Sequence, residues 1–327
     1  TAMRSLALAA LALTGFTFAA HADFVWTDTP GKHLELTHDD KPVARYVYEA
    51  IDESSPERRD ETYKPFCHLY MYQWEHYGNL LTKGPGGKFP HHRGVYYGFN
   101  QISYTDAAGK KHEKVDVWHC RKAHQVHRRF TRQEASADAA SFTSEIDWVG
   151  DDGVPFATES RTMRFRIDGP DVVVDFESTL TPQVAELKLD GDPQHAGFHF
   201  RAHNDVNDKT SNATYYIRPV SGIGQPGVAI NWSEKTDNEQ TRDLPWKAMC
   251  ITLRETQVTI AYLDHPQNPK PARASERQYG RFGTYFATTV KKEAPLTVRY
   301  RLVVHPGEYK DAAEVEKLSE SFLKEKP

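Results

Sequence analysis

A chain of 327 residues with 41 Lys and Arg against 45 Asp and Glu carries a formal net charge of −4, which excludes the basic excess of a nucleic-acid binder. Its length fits one large all-β domain or two domains of ordinary size. The three cysteines, Cys67, Cys120 and Cys250, have no C-x-x-C spacing, which excludes a cysteine-framed zinc module and leaves at least one thiol outside any intrachain disulfide.

From the N-terminus, Met3-Arg4 precedes an apolar run from Leu6 to Ala20, and Ala20-His21-Ala22 follows as a cleavage-type signal. A basic start, a short apolar centre and small residues at the cut predict a secretory signal peptide over 1–22 and a mature chain beginning at Asp23. No later stretch approaches the ~20 apolar residues that a membrane span requires. The expected location is periplasmic or secreted, and 23–327 is expected to form a single β-sandwich domain.

Beyond Asp23 nearly every periodic segment reads as strand. The loop Lys83 to Pro90 holds three Gly and two Pro, and the strand Val95 to Tyr104 follows it. Between them, Pro90-His91-His92-Arg93-Gly94 gathers two imidazoles and a guanidinium at a loop–strand junction, where binding and catalytic groups commonly sit. Asp116-Val117-Trp118 is read as strand with the acid and the indole on one face. That pairing suits a sugar, whose C–H faces pack on the ring while the carboxylate takes hydroxyls. Arg161 to Ile167 and Asp171 to Leu180 alternate with period 2 around the turn Asp168-Gly169-Pro170.

In Gly197 to His203, Phe198, Phe200 and Ala202 point one way, and His199, Arg201 and His203 the other. Thr256 to Leu263 and Thr297 to His305 are further alternating strands. Tyr279-Gly280-Arg281-Phe282-Gly283 sets an arginine among glycines, where it can hold a carboxylate bidentately. Asp311 with Glu314 resembles a capping box, and Val315, Leu318 and Phe322 form a stripe. They predict a helix over about 311–325 that covers an exposed sheet edge. Short strands punctuated by tight turns, without alternating helices, predict an antiparallel sandwich rather than a parallel α/β fold.

The sequence contains neither a helix-opening phosphate loop nor a G-x-S-x-G elbow, so no nucleotide cofactor and no serine hydrolase of that kind are expected. No H-E-x-x-H spacing is present, so no cofactor is expected and no metal ligands are assigned; a His-ligated metal enzyme, an oxidase or monooxygenase, stays open as an alternative. What remains is acid–base chemistry by His, Tyr and Arg. The candidate catalytic residues are His91, His92, Arg93, Tyr97 and Tyr279. The candidate substrate-binding residues are His68, Asp116, Trp118, His199, Arg201, His203 and Arg281. In these roles His91 or His92 is the general acid/base. Arg93, Arg201 and Arg281 neutralise an acidic substrate, Tyr97 or Tyr279 assists proton transfer, and Trp118 packs on a sugar ring.

Several of these stretches together resemble a known bacterial family. They are Lys64-Pro65-Phe66-Cys67-His68-Leu69, Phe89-Pro90-His91-His92-Arg93-Gly94-Val95-Tyr96-Tyr97-Gly98, Asp116-Val117-Trp118, Gly197 to Arg201, Leu263 to Pro269 and Tyr279 to Gly283. The family is uncharacterised and labelled PmoA, methane oxygenase, and the resemblance spans nearly the whole mature chain. It implies a role in carbohydrate metabolism and a galactose-mutarotase-like stack of two sheets, and supplies no established catalytic residues. The expectation is thus an all-β, two-sheet antiparallel supersandwich with a C-terminal helix. Its expected function is that of an exported enzyme cleaving a sugar or glycan by hydrolysis or β-elimination. A non-catalytic sugar-binding protein is the other alternative. The expected partner is a carbohydrate, with no nucleic acid and no membrane span.

Overall fold

Alternation of Met163 and Phe165 with polar neighbours, and of Val172, Val174 and Phe176, builds the hairpin Pro155–Asp168 and Asp171–Pro182, which closes at the pair Asp168 and Asp171. Gly169 adopts a φ of +55° in this turn, a conformation with little steric cost for glycine. The hairpin belongs to a computed structural model that describes residues 23–72 and 79–325. The expected signal peptide lies outside the described residues.

The described strands form three antiparallel sheets. The first has eight strands, running from Phe24–Thr29 at one edge, through Phe66–Leu69, Val95–Phe99, Ala196–Arg201 and Arg281–Tyr285, to Arg273–Arg277 at the other. The second has nine, from Gly222–Ile223, through Trp246–Leu253, Thr256–Asp264, Leu296–Pro306 and the hairpin, to His124–Ala135. A third sheet of four strands, unforeseen from the sequence, joins Thr288–Lys291, Glu186–Asp190, Gln101–Thr105 and Lys111–Val115.

The eight- and nine-stranded sheets pack face to face over one hydrophobic core. From the first come Leu34, Tyr97, Phe99, Phe198 and Phe282, and from the second Phe142, Trp148, Phe176, Ile260 and Leu302. Phe198 lies 4.3 Å from Phe176 and 4.8 Å from Tyr300 between ring centroids, so aromatic rings bridge the sheets. Each fully buried large side chain contributes roughly 1.5–3 kcal/mol to such a core. The fold is therefore all-β and antiparallel with a C-terminal helix, as expected.

That helix, Ala312–Lys324, begins where the Asp311 carboxylate accepts the Glu314 N–H at 3.2 Å. It covers a sheet face, however, and not an edge. Val315 and Phe322 pack on Val173, Trp246, Leu263 and Val303, on the outer side of interior strands of the nine-stranded sheet. The reason is the unbroken run Val172-Val173-Val174: Val173 makes the outer face apolar too, and that face needs cover. Among the described residues no helix is long and apolar enough to cross a membrane. Cys67, Cys120 and Cys250 are all buried and free.

Candidate functional site

Three neighbouring strands of the eight-stranded sheet, Val95–Phe99, Ala196–Arg201 and Arg281–Tyr285, carry the densest chemistry. Alternation sends Tyr97, Phe198, Phe200 and Phe282 into the core. Tyr96, His199, Arg201 and Arg281 therefore occupy the opposite face. Tyr96 is paired with His199, and His199 with Gly283. A Cβ on Gly283 would stand 2.5 Å from the His199 ring, so glycine is required for that ring to lie there. Arg201 and Arg281 stand directly opposite each other, and both are fully buried. Two like charges in that register repel, which the sheet tolerates only against a cost.

Hydrogen bonds orient this face. His199 donates from Nε2 to the Ala196 carbonyl at 2.9 Å, and its Nδ1 accepts from Arg281 Nη1 at 3.0 Å. That pattern requires neutral imidazole, and burial, then Arg281, hold its pKa well below the ordinary histidine value. Arg281 Nε donates to the Tyr279 hydroxyl at 3.3 Å. Arg201 donates to the Tyr279 carbonyl and stacks 4.8 Å above its ring. Lys64 donates to the Trp118 carbonyl at 2.6 Å and lies over the Tyr96 ring. Burial lowers its pKa to about 7.

The loop before Val95 turns sharply, with the His92 N–H donating to the Phe89 carbonyl at 3.0 Å. The turn holds the His91 and His92 rings 4.2 Å apart. His92 reaches inward, 2 % exposed, among Tyr96, Trp118 and Tyr279 at centroid distances of 6.1, 5.9 and 6.3 Å. Burial and Arg281 keep His92 neutral. His91 stays on the half-buried rim, 4.5 Å from His119. Burial first, then Lys64, lower its pKa to about 2.

Two further histidines complete the rim, each presented by the same short device, Asp-x-x-His. In Asp116-Val117-Trp118-His119, Asp116 Oδ1 accepts the N–H groups of Trp118 and His119, and Oδ2 pairs with His119 Nδ1 at 2.8 Å. In Asp192-Pro193-Gln194-His195, Asp192 Oδ1 accepts the Gln194 N–H, and the carboxylate pairs with His195 Nδ1 at 3.0 Å. The His119 and His195 rings are 4.8 Å apart. Ring nitrogens of His91, His119 and His195 all lie within 4.8 Å of one another.

The cluster is short of acceptors. His92 Nδ1 and Nε2, His91 Nε2, Tyr96 Oη, Trp118 Nε1, Arg201 Nε and Arg281 Nη2 are buried without a hydrogen-bond partner among the described residues. Leaving such groups unpaired costs ~1–3 kcal/mol each, so their concentration in one place marks where ordered water or a polar ligand would be held. Among the described residues, the carboxylates tied to this rim by hydrogen bonds, those of Asp116 and Asp192, are already engaged by histidines.

The structure thus brings together His91, His92, Trp118, His199, Arg201, Tyr279 and Arg281, and sets the other candidates apart. Arg93, fully buried, donates to the Pro90 and Glu61 carbonyls at 2.8–3.0 Å and stacks on Tyr63, so it clamps backbone instead of facing a substrate. Tyr97 faces the core, and its neighbour Tyr96 takes the site face. His68 is held by Thr82 Oγ1 at 2.9 Å, and His203 accepts the Asp205 N–H beyond the end of its strand. Asp116 lies in a turn after Lys111–Val115 and braces His119. Trp118 is wholly buried, so it offers no open platform. Sequence reasoning assigns no role to His119, His195 or Tyr96. The repeated Asp-x-x-His spacing was the available signal for the first two.

A groove of about 800 Å³ lies elsewhere, on the outer face of the nine-stranded sheet. Several of its charges are paired: Arg299 with Glu177 at 2.6 Å, Arg166 with Glu325 at 2.8 Å. Volume with few unmet polar groups is the weaker sign of a site.

The model of a family of unknown function, DUF6807, matches residues 33–320. This corrects the expected membership, because the matching family is DUF6807 and not the one labelled PmoA, methane oxygenase. No curated protein matches the chain. Solved structures similar to it include the GH36 alpha-galactosidase AgaA of Geobacillus stearothermophilus, at 10% identity and TM-score 0.38 over 89% of this chain and 40% of that one. The chain therefore spans about two fifths of that enzyme's length. Another is a galactose mutarotase related enzyme of Lactobacillus acidophilus, at 8% identity and TM-score 0.37, over 88% of this chain and 100% of that one. A third is a galactose mutarotase-like protein of Clostridium acetobutylicum, at 7% identity and TM-score 0.35, over 84% of this chain and 93% of that one. At such distances no residue role passes from them to this chain.

Proposed function

The chain belongs to DUF6807, a family of unknown function, so its own site must carry the reading, and we propose that it is an enzyme acting on an acidic sugar, by β-elimination. One observation carries this: two opposed, buried arginines with unpaired N–H groups, beside His92, Tyr96 and Trp118, with no carboxylate among the described residues hydrogen-bonded to either. A uronate carboxylate placed on Arg201 and Arg281 would satisfy those donors and relieve their repulsion. Neutralising the carboxylate also stabilises the enolate-like charge that develops when the adjacent C–H is deprotonated.

His92 is the base in this scheme. It is neutral with both nitrogens unpaired, and an arriving anion would oppose the lowering of its pKa that burial and, after it, Arg281 impose. Tyr279, whose hydroxyl already accepts from Arg281, is the proton donor to the leaving oxygen. Elimination is favoured over hydrolysis because glycoside hydrolysis ordinarily needs two carboxyl groups flanking the bond. Here Asp116 and Asp192 are bound to histidines. Export to the periplasm or medium belongs to the same proposal.

The test is incubation with uronate-containing and neutral oligosaccharides, followed by mass and ultraviolet detection of unsaturated products. Unsaturated ends from uronate substrates only are expected, and are lost in His92→Ala. Saturated hydrolysis products, or cleavage of neutral chains alone, would refute elimination, and binding without turnover would favour a sugar-binding protein.

A further inference from the structure

We propose that His91, His119 and His195 form a binding site for one divalent transition-metal ion of the zinc class at the rim of this cluster. Three separate turns deliver the rings, and their nitrogens already lie within 4.8 Å of one another. Tetrahedral zinc–imidazole geometry, with bonds of ~2.1 Å, places ligand nitrogens roughly 3.4 Å apart. The rings must therefore close by about an ångström, a movement that half-buried side chains on turns can make.

The rings are also held in a state ready to ligate. A carboxylate on Nδ1 holds that proton in place and leaves the Nε2 lone pair bare, the arrangement that orients metal-binding histidines. Asp116 does this for His119 at 2.8 Å and Asp192 for His195 at 3.0 Å. Among the described residues, the ring hydrogen bonds of His119 and His195 all go to Nδ1, and His91 Nε2 is buried and unpaired. Three imidazole rings with nitrogens this close together gain from a shared cation. Imidazole-only ligation selects Zn²⁺, Cu²⁺, Ni²⁺ or Fe²⁺ over Ca²⁺ and Mg²⁺, which want oxygen. Three protein ligands also leave a coordination position for an oxygen of water or substrate.

A second group, Asp106, His112 and Asp152, is a useful contrast. There Asp106 Oδ1 accepts the N–H groups of Ala108 and Lys110, and Oδ2 pairs with His112 at 3.0 Å. These contacts staple a turn and account for the residues without a metal.

The proposal is independent of the substrate reading, and its test reads no activity. The full chain, purified without a polyhistidine tag and stripped with a chelator, is titrated with Zn²⁺ by calorimetry and with Co²⁺ by visible absorption. One equivalent is expected, with the intense absorption of low-coordinate Co²⁺. His119→Ala and His195→Ala should weaken binding at least 100-fold, Asp192→Asn 10- to 100-fold, and His112→Ala not at all. Circular dichroism checks that each variant is folded. Absence of stoichiometric binding by the wild-type chain, or binding unchanged in the His119→Ala/His195→Ala double variant, overturns the proposal whatever the other variants do.

Discussion

The outer faces of the two large sheets are both rich in charge, yet they differ in how that charge is answered. On the nine-stranded sheet, Arg299 meets Glu177 and Arg301 meets Asp175 and Glu325, with a helix lying over the adjoining apolar strip. On the eight-stranded sheet, Arg201 meets Arg281, and histidine, tyrosine and indole groups around them lack partners. Paired charges at a surface contribute little either way. Unpaired buried ones are costly, and they persist where a ligand repays the cost. The contrast is the reason for proposing the site on the face with the unmet groups and not at the groove of about 800 Å³ on the other.

The strongest way to break the contrast is Arg281→Gln. It should lower turnover of a uronate substrate by about 10²- to 10³-fold, the usual loss when one preorganised donor to a developing anion is removed. Steady-state kinetics check this, and unaltered kcat and KM would remove the arginine pair from the mechanism.

A smaller effect concerns Lys247, which donates to the Ser275 and Gly283 carbonyls behind the site strands. Burial lowers its pKa to about 7. Between pH 7 and its unfolded value the unfolded chain holds more protons than the folded one, so stability from this group rises with pH and is lost as pH falls. The slope is ~1.4 kcal/mol per pH unit for each such lysine. Urea denaturation across pH 7–9 should show that slope reduced in Lys247→Met, and an identical slope in the variant would contradict the assignment. Least is expected of Arg299→Ala on the opposite face. A stability change of at most ~1 kcal/mol in urea is predicted, with metal binding and turnover within twofold of wild type. A large loss of turnover there would move the site to the groove.

The alternating sequence was a sound guide wherever polar and apolar residues truly alternate. His199 and Arg201 part from Phe198 and Phe200 on that ground alone. In Val95–Phe99 every residue is buried, on both faces, so no polar phase could be read and Tyr97 was chosen over Tyr96. Arg93 looked catalytic by composition, since only the folded chain brings the Glu61 carbonyl to its guanidinium.

What the sequence determined by itself was the strand periodicity, the antiparallel class and the terminal helix, because each depends on neighbours a few bonds apart. Tertiary structure alone decided that the turn bearing His91 meets those of His119 and His195, and that Arg201 faces Arg281. Those juxtapositions depend on strand register and on loops closed across the sheet, and a local pattern of residues contains no term for either.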